Sequence, residues 1–111
     1  MNIKELCSRY AAGQRDFRNL NLIAGNLRNM NFKGINLSGA NLTKANLTNT
    51  NLSCANLTGA ILTGAILNKT NFTQANLKDA NLSDTNLADA NFSQAYLHRA
   101  IAETTVDSPA L

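Results

Sequence analysis

Ala40-Asn41-Leu42-Thr43-Lys44-Ala45-Asn46-Leu47-Thr48-Asn49-Thr50-Asn51-Leu52-Ser53-Cys54-Ala55-Asn56-Leu57-Thr58-Gly59 passes four times through one five-residue phrase. Each pass runs small residue, Asn, Leu, Ser or Thr, and then a variable position. Outward from this stretch, Leu or Phe returns at every fifth position from Phe17 to Leu97, making 17 consecutive units. Asn precedes that central residue in 13 of the 17, with Asp16, Ile61, Ile66 and Tyr96 as the exceptions. Two positions before the centre stands Ala or Thr in every unit from Ala40 to Ala95.

A period of five suits neither regular structure. On an α-helix five residues advance about 500°, so the leucines would spiral over every face. On a strand an odd step sends successive leucines to opposite faces. The chain must therefore break its regularity once per unit. Within a unit the small residue and the centre lie two apart and share one face, while the Asn between them points away. The Ser/Thr and Gly/Asn/Asp that follow are turn formers. Each unit is then a very short extended side ended by a corner. Sides and corners wind into a coil, and stacked coils satisfy each other's backbone at about 4.8 Å spacing. Phe32, Phe72 and Phe92 differ by multiples of 20, as do Thr50 and Thr70. That spacing hints at four sides per coil, one side carrying the rings beside the threonines.

The remaining composition excludes much. Asn, Ala and Leu supply 50 of the 111 residues (18, 16 and 16), while Val106 and Pro109 are single occurrences and Trp is absent. An ordinary β-sandwich, rich in Val, Ile and aromatics, does not fit. No apolar run approaches the roughly 20 residues of a membrane helix. The N-terminus shows no secretory h-region, and Cys7 and Cys54 match no zinc or redox spacing, so cytoplasmic residence with reduced thiols is expected. The abundant Asn-x-Ser/Thr triplets are a by-product of the repeat and carry no functional weight. The net charge of +3 is unevenly spread. Residues 1–44 carry seven basic and two acidic groups, and residues 45–111 three and five.

The units Ala40-Asn41-Leu42-Thr43-Lys44 and Ala55-Asn56-Leu57-Thr58-Gly59 resemble the pentapeptide-repeat consensus, Ala-Asp/Asn-Leu-x-x. The resemblance spans residues 15–99. It implies an all-β solenoid, a right-handed quadrilateral β-helix of four units per coil and about four coils. The opening Arg9-Tyr10-Ala11-Ala12-Gly13 also resembles the start of many cyanobacterial members. Early units depart from the consensus, with Arg15, Leu20, Gly25, Met30 and Ile35 at the small position, so the first coil is expected to be wider or less regular.

Three segments follow: an N-terminal capping helix (1–14), the repeat coil (15–99) and an end segment (100–111). Asn2 with Glu5 resembles a capping box, and Ile3, Leu6, Cys7 and Tyr10 form one apolar helical face. Gly13 is the expected stop. Beyond Leu97 the pattern fades, and the tail from Glu103 reads as a mobile segment or thin lid. The C-terminal coil is thus the stickier end and a candidate for homodimer stacking.

Chemistry finds no foothold. No glycine-rich phosphate loop exists, and Gly34, Gly39, Gly59 and Gly64 follow the corners. His98 is expected outside, without a carboxylate to orient it. Asp79, Asp84 and Asp89 recur at one corner position and should wrap around the rod rather than converge as metal ligands or an acid/base pair. A packed Leu/Ala interior offers no ligand pocket. No enzyme, cofactor or small-molecule substrate is expected. The expected role is a structural or protein-interaction module, with Arg18, Arg28, Lys33 and Lys44 facing an acidic partner and Ile61 with Ile66 as an exposed apolar pair. The alternative is a subset of the family that mimics DNA and binds a bacterial type II topoisomerase. That role calls for a long, strongly negative rod, against which the +3 charge and short coil weigh. Nucleic-acid binding through the basic half lacks aromatic platforms and would rest on phosphate contact alone.

Overall fold

A computed structural model describes residues 1–103. One helix, α1 (Ile3–Ala11), is followed by a continuous coil. The coil has no long strands. Parallel one-residue bridges join outward positions to the residue 20 further on, beginning with Asp16 to Asn36 and Asn21 to Asn41 and ending with Asn81 to Ile101, with one exception at Ile66. With five residues per unit, one circuit therefore holds four units. We number the sides by their centres. The first carries Phe17, Leu37, Leu57, Leu77 and Leu97, and the second Leu22, Leu42, Leu62 and Leu82. The third carries Leu27, Leu47, Leu67 and Leu87, and the fourth Phe32, Leu52, Phe72 and Phe92.

The local sequence explains the corner. In a typical unit Ala45 N–H donates to the Leu42 carbonyl at 2.9 Å, closing a four-residue turn. Lys44, the third residue of that turn, has φ +59°, as a type II turn requires. The equivalent residue is Gly at 34, 39, 59 and 64 and Asn or Asp at 19, 29, 49, 79 and 84, the types that enter this region at least cost. No β-branched residue stands at this position in any of the 17 units. The Asn before each centre does more than face outward. Asn41 Oδ1 accepts the Thr43 N–H at 3.1 Å and the Thr43 hydroxyl at 2.6 Å, and Asn46, Asn56 and Asn71 do the same with Thr48, Thr58 and Thr73. The recurrent Asn-Leu-Thr is thus an Asx-turn that builds the corner.

The interior is a stack of apolar rungs. Every centre from Phe17 to Leu82 is buried, as are Ala40, Ala45, Ala55, Ala60, Ala65, Ala75 and Ala80. Each buried Leu or Phe contributes on the order of 1.5–3 kcal/mol. Thr50 and Thr70 replace Ala on the fourth side without loss, because their hydroxyls donate to the Leu27 and Leu47 carbonyls at 2.6 and 2.7 Å. Phe72 and Phe92 stack on the same side with centroids 4.9 Å apart.

α1 closes the lower end. Asn2 Oδ1 accepts the Glu5 N–H at 2.8 Å, but the Glu5 carboxylate turns to Arg9 at 2.7 Å, so only half of the capping box forms. Leu6 is buried, and Ile3, Cys7 and Tyr10 pack on the rung above, with Leu20 and Met30. Gly13 ends the helix at φ +104°. The Tyr10 hydroxyl donates to the Lys33 carbonyl at 2.6 Å, and the Arg15 guanidinium lies 3.7 Å over its ring.

The first coil keeps its bridges, with Leu20 and Met30 packed against α1 and Arg15 turned outward over Tyr10. It is less regular at its corners, as expected, because the Leu20 and Met30 amides make no turn hydrogen bond to Phe17 and Leu27 of the kind that Gly25 and Ile35 make. A second disturbance lies in the last circuit. The ladder has one missing register, Ile66 to Asn86. Thr85 sits above Gly25, Ala45 and Ala65, in a column sized for small residues. Its hydroxyl takes the Leu82 carbonyl at 2.6 Å, where a turn amide would otherwise bond. The hydrogen-bond register then slips by one, with Lys69 N–H donating to Asp89. The upper end is open among the described residues. Leu82, Leu87, Phe92, Leu97, Ala100 and Ala102 line a shallow apolar dish of about 200 Å³. The tail expected to lie over it from residue 104 onward falls outside the described residues.

Candidate interaction surface

The four-sided ladder fixes where each surface residue stands. Arg18 follows the first side, Arg28 the third, Lys33 the fourth, and Lys44 occupies the corner between the second and third. These four cations therefore encircle the lower half of the rod and do not form one patch. Arg18 is further occupied locally, with Nε 2.9 Å and Nη2 3.0 Å from the Asp16 carboxylate. That bond holds the Asp16 carboxyl below its usual range and raises the Arg18 guanidinium, both on an exposed surface. Arg99 reaches one circuit down to Asp79 at 2.8 Å. Arg28, Lys33 and Lys44 have no ion pair within 4 Å among the described residues.

Ile61 and Ile66 stand where thirteen other units have Asn, on the second and third sides of one circuit. They are 38% and 44% exposed, flanking the corner at Gly64. A Cβ on Gly64 would lie 3.4 Å from Lys44 Cγ, so the lysine stem runs beneath that corner. Lys69 stands at the other edge of the third side. Period five alone leaves it out; counting in twenties puts it beside Ile66 and two circuits above Asn29, the neighbour of Arg28.

The other chemistry-bearing groups are dispersed. Asp79, Asp84 and Asp89 occupy three different corners of one circuit. His98 is exposed, near Tyr96 at a centroid distance of 6.1 Å. Cys54 is exposed at the corner between the fourth and first sides, and Cys7 lies under Met30, its sulfur 3.4 Å from the thioether. No group of three or more His, Cys, Asp or Glu could hold a metal among the described residues. A polar recess near α1, lined by Met1, Gln14, Asp16, Phe17, Arg18, Asn19 and Leu20, is broad and shallow. No helix among the described residues is long and apolar enough to cross a membrane.

A coil wound from identical units, closed by a helix and offering its chemistry only on the outside, defines a repeat protein. Eight copies of the pentapeptide-repeat family model match residues 16–53, 40–79 and 75–103, and the chain belongs to this family. Its solved relatives include three from cyanobacteria. HetL of Nostoc sp. strain PCC 7120, a protein involved in heterocyst differentiation regulation, is 34% identical, with 90% of this chain and 46% of HetL covered and a TM-score of 0.69. Rfr23 of Cyanothece 51142 is 35% identical over 82% of this chain and 60% of its own, with a TM-score of 0.74. The Nostoc protein alr5209 is 32% identical over 96% and 88%, with a TM-score of 0.58. The chain thus spans about half the length of the first two. No curated protein matches its sequence.

Proposed function

We propose that this chain is a non-enzymatic protein-interaction module: a right-handed quadrilateral β-helix of about four coils whose outer residues recognise a partner protein. One observation carries the reading. From Ile35 up to Leu82, every inward position is a buried apolar residue or a threonine whose hydroxyl is bonded, and Thr85 just beyond is bonded but half-buried. What this chain offers is therefore surface, in rows fixed at about 4.8 Å. Free Cys7 and Cys54 suit a reducing, cytoplasmic setting. The test is affinity capture from host lysate, with the wild-type chain and with charge reversal at Arg18, Arg28 and Lys33. A partner lost on reversal supports the module; the absence of any partner contradicts it.

The apolar dish at the upper end adds a second contact, a homodimer stacked through the C-terminal coils. One coil end is small beside the roughly 800 Å² per partner of a stable complex, so the dimer is expected to be weak. Light scattering over a dilution series should show dimer at high micromolar concentration. Monomer throughout removes this contact. The topoisomerase alternative finds no support in the charge, which is +3 overall.

A further inference from the structure

We infer that the third side is the working face and that it takes an acidic protein segment carrying a large apolar side chain. This rests on the interaction-module reading and names the chemistry of its partner. Three features meet on this side. First, Ile66 is 44% exposed where its column otherwise holds Asn26, Asn46 and Asn86, and Ile61 continues the apolar surface around the bare Gly64 corner. Second, the bridge from Ile66 to Asn86 is the one missing register, so no ladder partner locks over that isoleucine. Third, cations at three heights border it: Arg28 at the bottom, Lys44 one circuit higher at the left corner, and Lys69 beside Ile66.

These cations differ from their paired counterparts. Arg9, Arg18 and Arg99 are committed to Glu5, Asp16 and Asp79, whereas Arg28, Lys44 and Lys69 have no ion pair within 4 Å among the described residues. Two ladder steps separate Arg28 from Lys69, about 10 Å. An extended segment turns every second side chain to one face, about 7 Å apart, so two carboxylates at alternate positions meet Arg28 and Lys44 while the apolar side chain two residues further on lies on Ile66 and Ile61, with Lys69 beside it. The aliphatic stem of Lys44 under Gly64 extends the apolar floor.

A nucleic acid fits this face less well. Asp84 stands above Gly64 and Asp89 above Lys69, so a phosphate backbone following the side would meet carboxylates within one circuit of the cations. The side also carries no aromatic ring for a base to stack on. The same two aspartates set a polarity: the acidic part of the partner points toward α1.

The test is an NMR titration of the full chain with a short acetylated peptide that carries glutamate, glutamate and leucine at alternate positions with serine between them. Its glutamine counterpart and a DNA oligonucleotide are run in parallel. Saturable amide shifts at Ile61, Gly64, Ile66 and Lys69 are expected. Lys44→Asn should weaken binding about threefold and Ile66→Asn about tenfold. Both substitutions install residues the repeat prefers at those positions, so both variants are expected to fold. Equal binding of the glutamine peptide, shifts centred on Arg18 or Lys33, tighter binding of the oligonucleotide, or no saturable shift at millimolar peptide each overturns the inference. If lysate capture then still returns a partner released by reversal at Arg18 or Lys33, the module reading stands and only this face is wrong.

Discussion

Leu57 and Leu97 occupy the same position of the same side, two circuits apart, yet Leu57 is 0% and Leu97 43% exposed. Replacing each with Ala removes the same atoms from two different environments. At Leu57, rungs lie above and below, and lost transfer alone is about 2.4 kcal/mol for three carbons at about 0.8 kcal/mol each. The cavity left in a stack held in register by its backbone adds to this, for about 3–4 kcal/mol in all. At Leu97 nearly half of the side chain already meets water and no closed cavity can form, so about 1 kcal/mol is expected. Urea unfolding followed by circular dichroism, with the m-value held constant, measures both. A difference of about 2–3 kcal/mol supports a stack closed by α1 and open above. Equal losses would refute it, and a Leu97 loss that grows with protein concentration would show a second copy covering that end.

Three further outcomes follow from the corners and the ion pairs. Thr70→Val should cost about 1 kcal/mol, because it deletes a buried hydroxyl bond while the Leu47 carbonyl keeps its bond from the Thr50 amide; urea midpoints check this. Thr85→Ala should stabilise the chain and restore the Ile66–Asn86 register, seen as slower amide exchange at Leu67; unchanged exchange would show that Thr85 is not the cause. The Asp16 carboxyl should titrate below the usual carboxylate range, and Arg18→Ala should return it there. Because the folded pKa is the lower one, the contribution of this pair is present above the unfolded value near 3.8 and is lost as pH falls through the folded one. Carbon NMR of the carboxyl reads the midpoint directly.

The coil was legible because period five and multiples of 20 are both properties of sequence spacing. Phe32, Phe72 and Phe92 share a side with Thr50 and Thr70 for the reason their numbers suggested. The cap was equally visible in Asn2 and the Ile3, Leu6, Cys7, Tyr10 stripe. Other features depend on contacts that spacing does not encode. Asn41 and its counterparts looked merely outward, since alternation gives a side chain's direction but not its hydrogen bond to the residue two positions on. Leu20 and Met30 looked too large for their column; only the docking of α1 shows that the space exists. Thr85 matched the small-residue pattern as well as Thr50 and Thr70 did. It differs in its bond: its hydroxyl takes the Leu82 carbonyl of its own corner, where Thr50 and Thr70 reach Leu27 and Leu47 one circuit down. The surface was the least legible part. Arg18, Arg28, Lys33 and Lys44 are close in sequence, yet a circuit of 20 residues carries neighbours in sequence to different sides.

Four units per circuit is the claim on which the account rests, and Cys54 allows it to be measured. Its sulfur lies 3.5 Å from Oε1 of Gln74, one circuit up at the same corner. A ladder spacing of about 4.8 Å brings the two Cα atoms within reach of a disulfide. In a Cys7→Ala background, Gln74→Cys should cross-link to Cys54 rapidly under mild oxidation, while Lys69→Cys, fifteen positions away, should not. Equal cross-linking of the two variants, or faster closure from position 69, would contradict the four-sided coil.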